Sequence, residues 1–235
     1  KMPLPATGGH EISGEIAALG DGVNPKKWKV GDRVSVRKLY NCGECYMCRT
    51  GHTNMCERSQ KKPVREGLLI GPGGLCDYLV AQPQDLYPLA DNIAYDEAAL
   101  TEPLACCVHS VEKANLKLGE DVVIIGGGIM GQNHVMLAKK RGCRVILSEV
   151  DPERRKLAES LGADVTFNPM ECDPVERVKE LTEGRGADVV FNTTAIPSVV
   201  PQAIAMVGRA GRMIQYSSMH PDAPTPVSPQ MLHGS

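Results

Sequence analysis

Four cysteines stand close together at Cys42, Cys45, Cys48 and Cys56, spaced C-x2-C-x2-C-x7-C. Four thiolates in one short loop are the ligand set of a structural, tetrahedral zinc site that is closed to substrate. The loop has little apolar content, so a metal would have to order it. An iron–sulfur cluster is the rival reading. The bacterial ferredoxin run has a shorter last gap and a proline after its final cysteine, whereas Glu57 follows Cys56 here. The other five cysteines, Cys76, Cys106, Cys107, Cys143 and Cys172, read as small buried hydrophobes.

A second pattern, Gly126-Gly127-Gly128-Ile129-Met130-Gly131, contains G-x-G-x-x-G. It follows the apolar run Val122–Ile125 and opens a helical pattern, the setting expected of a dinucleotide-binding turn. Gly126 permits the turn, Gly128 leaves room for a pyrophosphate, and Gly131 lets helix and strand approach closely. With Ile129 and Met130 in its opening turn, the helix N-terminus offers unpaired N–H groups to the phosphates. Glu149, eighteen residues after Gly131, ends the next strand. A carboxylate there can accept hydrogen bonds from both adenosine ribose hydroxyls and repel a 2′-phosphate, which favours NAD over NADP. Arg154 is the competing signal. It reads as a 2′-phosphate ligand, as a solvated helix charge, or as packing against the adenine plane.

Elements must hold these groups in place. Glu11–Leu19, Arg33–Lys38 and Gly74–Ala81 read as strands of an irregular β region, with turn chemistry at Gly20-Asp21-Gly22 and Asn24-Pro25. Asp96–Val111 reads as a helix broken or kinked near Pro103. From Asp121 strands alternate with helices. The strands are Val122–Ile125, Arg144–Ser148, Ala163–Phe167, Ala187–Phe191 and Arg212–Tyr216. The helices are Gly131–Arg141, one opened by Asp151-Pro152 and ended at Gly162, one from Asp173-Pro174 to Gly184, and Ser198–Val207. Such alternation predicts a parallel, doubly wound sheet. Met219–Ser235 is Pro-rich and reads as loop. The domains expected are a β-rich one over 1–108, with the cysteine lobe at about 40–57, and a dinucleotide-binding one over 109–235. Lys plus Arg (26) nearly balance Asp plus Glu (28), and no basic stripe carries interleaved aromatics, which argues against nucleic acid. The apolar runs are too short to span a membrane. The start of the chain reads as neither a signal nor a transit peptide, and with clustered cysteines this suggests a reducing, cytoplasmic setting.

In order along the chain stand Gly9-His10-Glu11, Gly31-Asp32-Arg33-Val34, the four-cysteine run, Glu102-Pro103-Leu104 and the Gly-rich turn. Together they resemble the zinc-dependent medium-chain dehydrogenase family. Glu102-Pro103-Leu104 makes the chain most similar to its sorbitol (polyol), butanediol and threonine dehydrogenase branch. The resemblance implies an α/β protein: a GroES-like β-rich catalytic domain, here incomplete, and a Rossmann coenzyme domain. It implies a catalytic zinc apart from the structural one, with His10, Glu11 and Glu102 matching its ligands or near neighbours. The implied reaction is metal-assisted hydride transfer between NAD and a secondary alcohol or polyol, with its ketone as product. It also implies a homo-oligomer, dimer or tetramer.

The chain departs from that family in three places. A cysteine ligand of the catalytic zinc is expected before Gly9-His10-Glu11, and Lys1–Gly9 contains none. The family continues past the fifth strand, so the chain reads as a fragment. Asn192-Thr193-Thr194-Ala195 and Ser217-Ser218-Met219-His220 replace glycine-bearing loops on the nicotinamide side, where Thr193 and Ser217 read as polar contacts or as strand-end chemistry. Two further function classes stay open: a non-catalytic NAD- and zinc-binding fragment, and an NADP-linked carbonyl reductase.

Overall fold

The computed structural model describes residues 5–59, 71–219 and 224–230. It divides into two compact units, Lys1–Pro103 and Leu104–Ser235.

The first unit is built on a three-stranded antiparallel sheet of β1 (Ser13–Glu15), β2 (Arg33–Val36) and β3 (Leu86–Pro88), in that order. β1 and β2 pair with Gly14 opposite Val34, and β2 and β3 with Ser35 opposite Tyr87. Ile12, Ile16, Trp28, Val34 and Val36 form its buried core. Gly31, at φ +89°, turns the chain into β2 and donates its N–H to the Ile16 carbonyl. The adjoining Arg33 donates to the carbonyls of Ala90, Asp91 and Ile93 and lies 4.5 Å over the Tyr95 ring. The Gly31-Asp32-Arg33-Val34 motif is therefore a turn followed by a clamp.

One expectation fails here. Gly74–Ala81 is not a strand. Gly71 and Gly73 have positive φ, and the side chains of Leu75, Tyr78 and Val80 are exposed, so only Leu79 and Ala81 of the alternating run pack against the core. β2 pairs instead with β3, which the preceding Pro83 and the closing Pro88 disguise as a turn. The cysteine lobe carries a short helix, α1 (Tyr46–Arg49). The helix expected over Asp96–Val111 is two, α2 (Tyr95–Ala99) and α3 (Thr101–Ala114), separated at Leu100. A proline ring clashes with the carbonyl four residues back. For Pro103 that is Ala99, where α2 ends, and Pro103 itself sits in the first turn of α3, where its missing N–H costs nothing.

The second unit is a five-stranded parallel sheet of β4 (Asp121–Ile125), β5 (Arg144–Ser148), β6 (Val165–Phe167), β7 (Ala187–Asn192) and β8 (Val207–Gln215). The spatial order is β6-β5-β4-β7-β8. The connecting helices are α4 (Ile129–Lys140), α5 (Pro152–Ser160), α6 (Pro174–Leu181) and α7 (Val199–Ala205). Alternate residues of β4 serve two cores: Val122 and Ile124 join one with Val135, Leu147 and Phe191, while Val123 and Ile125 join another with Ile146, Val178 and Met206. Each such fully buried side chain contributes about 1.5–3 kcal/mol. The doubly wound expectation is met. β8 begins five residues earlier than its apolar pattern showed, because Gly208, Gly211 and a positive-φ Ala210 carry it past a register shift opposite Ala187 and Val189. Among the described residues no helix is long and apolar enough to cross a membrane.

Candidate functional site

The cysteine lobe brings its four Sγ atoms within 4.8 Å of one another. Four sulfurs at 2.3 Å from a tetrahedral ion lie about 3.8 Å apart, so the donor set fits zinc. Backbone N–H groups support the sulfurs: Cys42 donates to Cys56 Sγ, Cys45 to Cys42 Sγ and Arg58 to Cys56 Sγ, each at 3.4 Å. The N–H groups of Glu44 and then Cys45 lower the Cys42 thiol to about 6. The N–H groups of Cys48 and Glu57 also lower Cys45. Burial instead pushes Cys48 up to about 11, which a bound cation would reverse. Of the other five thiols, Cys107 and Cys143 are buried as expected, while Cys76, Cys106 and Cys172 are exposed. All nine are free.

The second cluster joins positions far apart in sequence. His10, Glu11 and Glu102 place one ligand atom each within 4.8 Å of the others, and His10 Nε2 stands 3.8 Å from Glu102 Oε2. Two ligands of a tetrahedral zinc lie about 3.4 Å apart, so imidazole and carboxylate fit one ion between them. Backbone contacts explain the placement. Gly9 is at φ +81°, and a Cβ there would meet Leu75 Cγ at 2.7 Å; Gly74 and Leu75 donate back to the Gly8 carbonyl. This leaves His10 exposed and puts Ile12 in the core. Ser13 Oγ donates to the Tyr95 carbonyl and Tyr95 Oη to Glu15, which ties α2 to β1 and so carries Glu102 toward His10.

In the second unit the Gly-rich turn links β4 to α4. Gly126 has φ +96°. A Cβ on Gly131 would lie 1.9 Å from the Gly126 carbonyl oxygen, one on Gly127 would lie 2.9 Å from Glu149 Cγ, and one on Gly128 would meet nothing within 4 Å. The open side of the turn is therefore at Gly128, the N-cap of α4. Ile129 is exposed beside it, and Met130 half-buried. Glu149 is 6% exposed; its carboxylate accepts from the Gly127 N–H and, at 2.9 Å, from the Asp151 N–H. Each oxygen keeps a second lone pair with which to accept another hydrogen bond. Arg154 lies in the first turn of α5 with its N–H on the Asp151 cap, and its Cβ and Glu149 Cγ both border Gly127. The hydroxyls of Thr193 and Ser217 both donate to the backbone: Thr193 to Ile125 and Gly126, Ser217 to Thr193. They brace the turn, and each oxygen can still accept. Beside them a cleft of about 480 Å³ is lined by Cys106, Met130, Ala195, Tyr216, Ser217 and Ser218. It lies past the carboxyl ends of β4, β7 and β8, at the point where strand order reverses, the usual ligand position in such sheets.

Residues 1–91 match the model of the alcohol dehydrogenase GroES-like domain, and residues 130–235 that of the zinc-binding dehydrogenase domain. The chain belongs to the zinc-dependent medium-chain dehydrogenase family. It is 36% identical over 216 residues to D-arabitol-phosphate dehydrogenase of Enterococcus avium, covering 90% of this chain and 59% of that one. Against sorbitol dehydrogenase of Bacillus subtilis the identity is 34% over 208 residues, 87% of this chain and 57% of the other. The chain thus spans less than two thirds of these dehydrogenases. A zinc-binding dehydrogenase from Sinorhizobium meliloti, solved with NADP bound, superposes with a TM-score of 0.88 at 27% identity, covering 99% of this chain and 67% of that one.

Several residues of this chain gave no signal in the sequence. Gln132 Nε2 donates to the carbonyls of Gly127 (3.0 Å) and Arg154 (2.9 Å). His134, fully buried, contacts the Met130 carbonyl at 2.8 Å and Ser110 Oγ at 3.0 Å, and packs edge-on to Tyr216. Tyr216 Oη contacts Met130 Sδ at 3.3 Å. Burial holds the His134 imidazole below its ordinary range, so it is neutral at pH 7. A helix-face glutamine and histidine look like solvent groups in sequence, and only the sheet packed against α4 shows them to be internal.

Proposed function

We propose that the chain carries the zinc- and NAD-binding parts of a dehydrogenase that interconverts a secondary alcohol or polyol and its ketone. The observation that carries this is the convergence of His10, Glu11 and Glu102 within 4.8 Å in a chain that also builds a dinucleotide turn. Zinc there would supply Lewis acidity to a substrate oxygen, and the nicotinamide would accept the hydride. Two protein ligands and a neighbouring carboxylate leave part of the coordination open, as a catalytic site requires. Gly128 leaves the phosphates room, and Glu149 accepts the ribose hydroxyls. The cysteine lobe holds the second, structural zinc. The names of the sorbitol and D-arabitol-phosphate relatives support a polyol or polyol phosphate as substrate.

The test is a panel of polyols and polyol phosphates assayed with NAD, before and after strong chelation. Turnover that chelation abolishes and zinc restores is expected. Turnover indifferent to chelation would sink the zinc-dependent reading.

A second reading, NADP as coenzyme, draws support from the NADP-bound relative and from Arg154 beside Glu149. Parallel titration with both coenzymes decides between them, and an NADP preference would refute the role given to Glu149.

A further inference from the structure

We infer that Gln132 is a positioning residue for coenzyme choice, fixing Glu149 and Arg154 relative to the Gly-rich turn. The inference rests on the reading of Glu149 as the ribose-binding carboxylate. Both hydrogens of the Gln132 amide are used, one on the Gly127 carbonyl and one on the Arg154 carbonyl. Both acceptors are oxygens, so the amide nitrogen must face them. The two carbonyls belong to separate segments, the turn after β4 and the first turn of α5. Gly127 in turn donates its N–H to Glu149 Oε2, and Asp151 donates to Oε1. Glu149 is therefore gripped by two backbone groups, and Gln132 holds the segments that carry them.

The fold alone has little use for this amide. Gln132 is 7% exposed, and its Oε1 has no donor among the described residues. An unpaired buried acceptor is unfavourable, and an apolar side chain of the same length would avoid it. What glutamine adds is the link between the phosphate turn and the ribose turn. That region is tightly built: a Cβ on Gly127 would meet Glu149 Cγ at 2.9 Å and Arg154 Cβ at 3.3 Å. Freeing the turn would let Glu149 retreat. NAD would then lose its hydroxyl acceptor, and NADP would meet less repulsion at its 2′-phosphate.

The experiment measures affinity for NADH and for NADPH by calorimetric titration of the 235-residue chain, in the unaltered protein, Gln132→Met and Gln132→Glu. Methionine keeps length without a donor, and glutamate keeps shape but cannot donate when ionised. The expected result is a preference for NADH that falls about tenfold in both variants, with NADPH affinity unchanged or improved. The ratio of two affinities on one preparation does not depend on the fraction folded, so a destabilised variant still reads out. Parallel weakening of both coenzymes, or no change, would overturn the inference. If the unaltered chain binds neither coenzyme, or prefers NADPH, the reading of the turn or of Glu149 fails instead.

Discussion

Adding one methyl group to the Gly-rich turn has opposite consequences at two positions three residues apart. A Cβ on Gly131 lands 1.9 Å from the Gly126 carbonyl oxygen, and neither backbone atom can move aside. Gly131→Ala is therefore expected to lower stability by about 3 kcal/mol, the upper end of overpacking effects, and a thermal or urea melt reads it. Gly128 faces open space and has φ −68°, which any residue adopts. Gly128→Ala should change stability by less than about 1 kcal/mol, yet weaken NADH binding about tenfold, because the methyl group fills room kept for the pyrophosphate. Equal effects of the two changes on stability would contradict the geometry.

At the scale of elements, two devices recur. Helices α5 and α6 each begin with an Asp cap whose Oδ1 takes two N–H groups, at 2.8 and 3.2 Å for Asp151 and at 2.9 and 3.1 Å for Asp173. Asp173→Ala should cost about 1 kcal/mol, measured by denaturant unfolding, with coenzyme affinity unaffected. The cysteine lobe is held differently. α1 has four residues and no buried side chain, so burial cannot hold it. Cys45→Ser should remove about one zinc per chain by elemental analysis and expose residues 42–59 to limited proteolysis. His10→Ala should remove a different zinc and leave the lobe protected. Retention of all metal in both variants would refute the two-site assignment.

For the molecule as a whole, pH dependence follows from three groups of the second unit, the buried His134, the half-buried Glu120 and the exposed Asp164. Burial opposes ionisation of Glu120, but bonds from Arg212 and the Lys117 N–H outweigh it and hold the carboxyl below its ordinary range. Asp164 is likewise lowered by Lys139 and the Val145 N–H against the cost of burial. A depressed native value means that the unfolded chain takes up the proton first as pH falls. The stabilisation is therefore complete above the ordinary carboxylate value and is lost as pH drops through the native one. His134 acts in the same direction higher on the scale: its native value is lowered, so the unfolded chain protonates near pH 6.5 while the folded one does not. Melting temperature should decline from about pH 6.5 downward and more steeply in the carboxylate range. His134→Gln should flatten the upper limb only, and Glu120→Gln should reduce the lower one. A melting temperature flat from pH 7 to pH 5 in the unaltered chain would refute the His134 assignment.

Much of this was legible in the residues themselves because it is set locally. The cysteine spacing, the strand–Gly–helix run with Glu149, and the Asp-Pro helix starts depend on neighbours within a few positions, where backbone geometry alone dictates residue type. The parallel sheet followed, since apolar strands alternating with helices have few other ways to bury both faces. Tertiary structure decided what depends on distant partners. Gly74–Ala81 alternates like a strand but pairs as one with no strand among the described residues, while Leu86–Pro88 hides behind prolines and pairs with β2. The convergence of His10, Glu11 and Glu102 comes from chain segments about ninety residues apart, joined through Tyr95, Ser13 and Gly9. Gln132 and His134 look like surface groups until the sheet encloses α4. Spacing determines which residues could do chemistry, and only packing brings distant ones within a bond's reach.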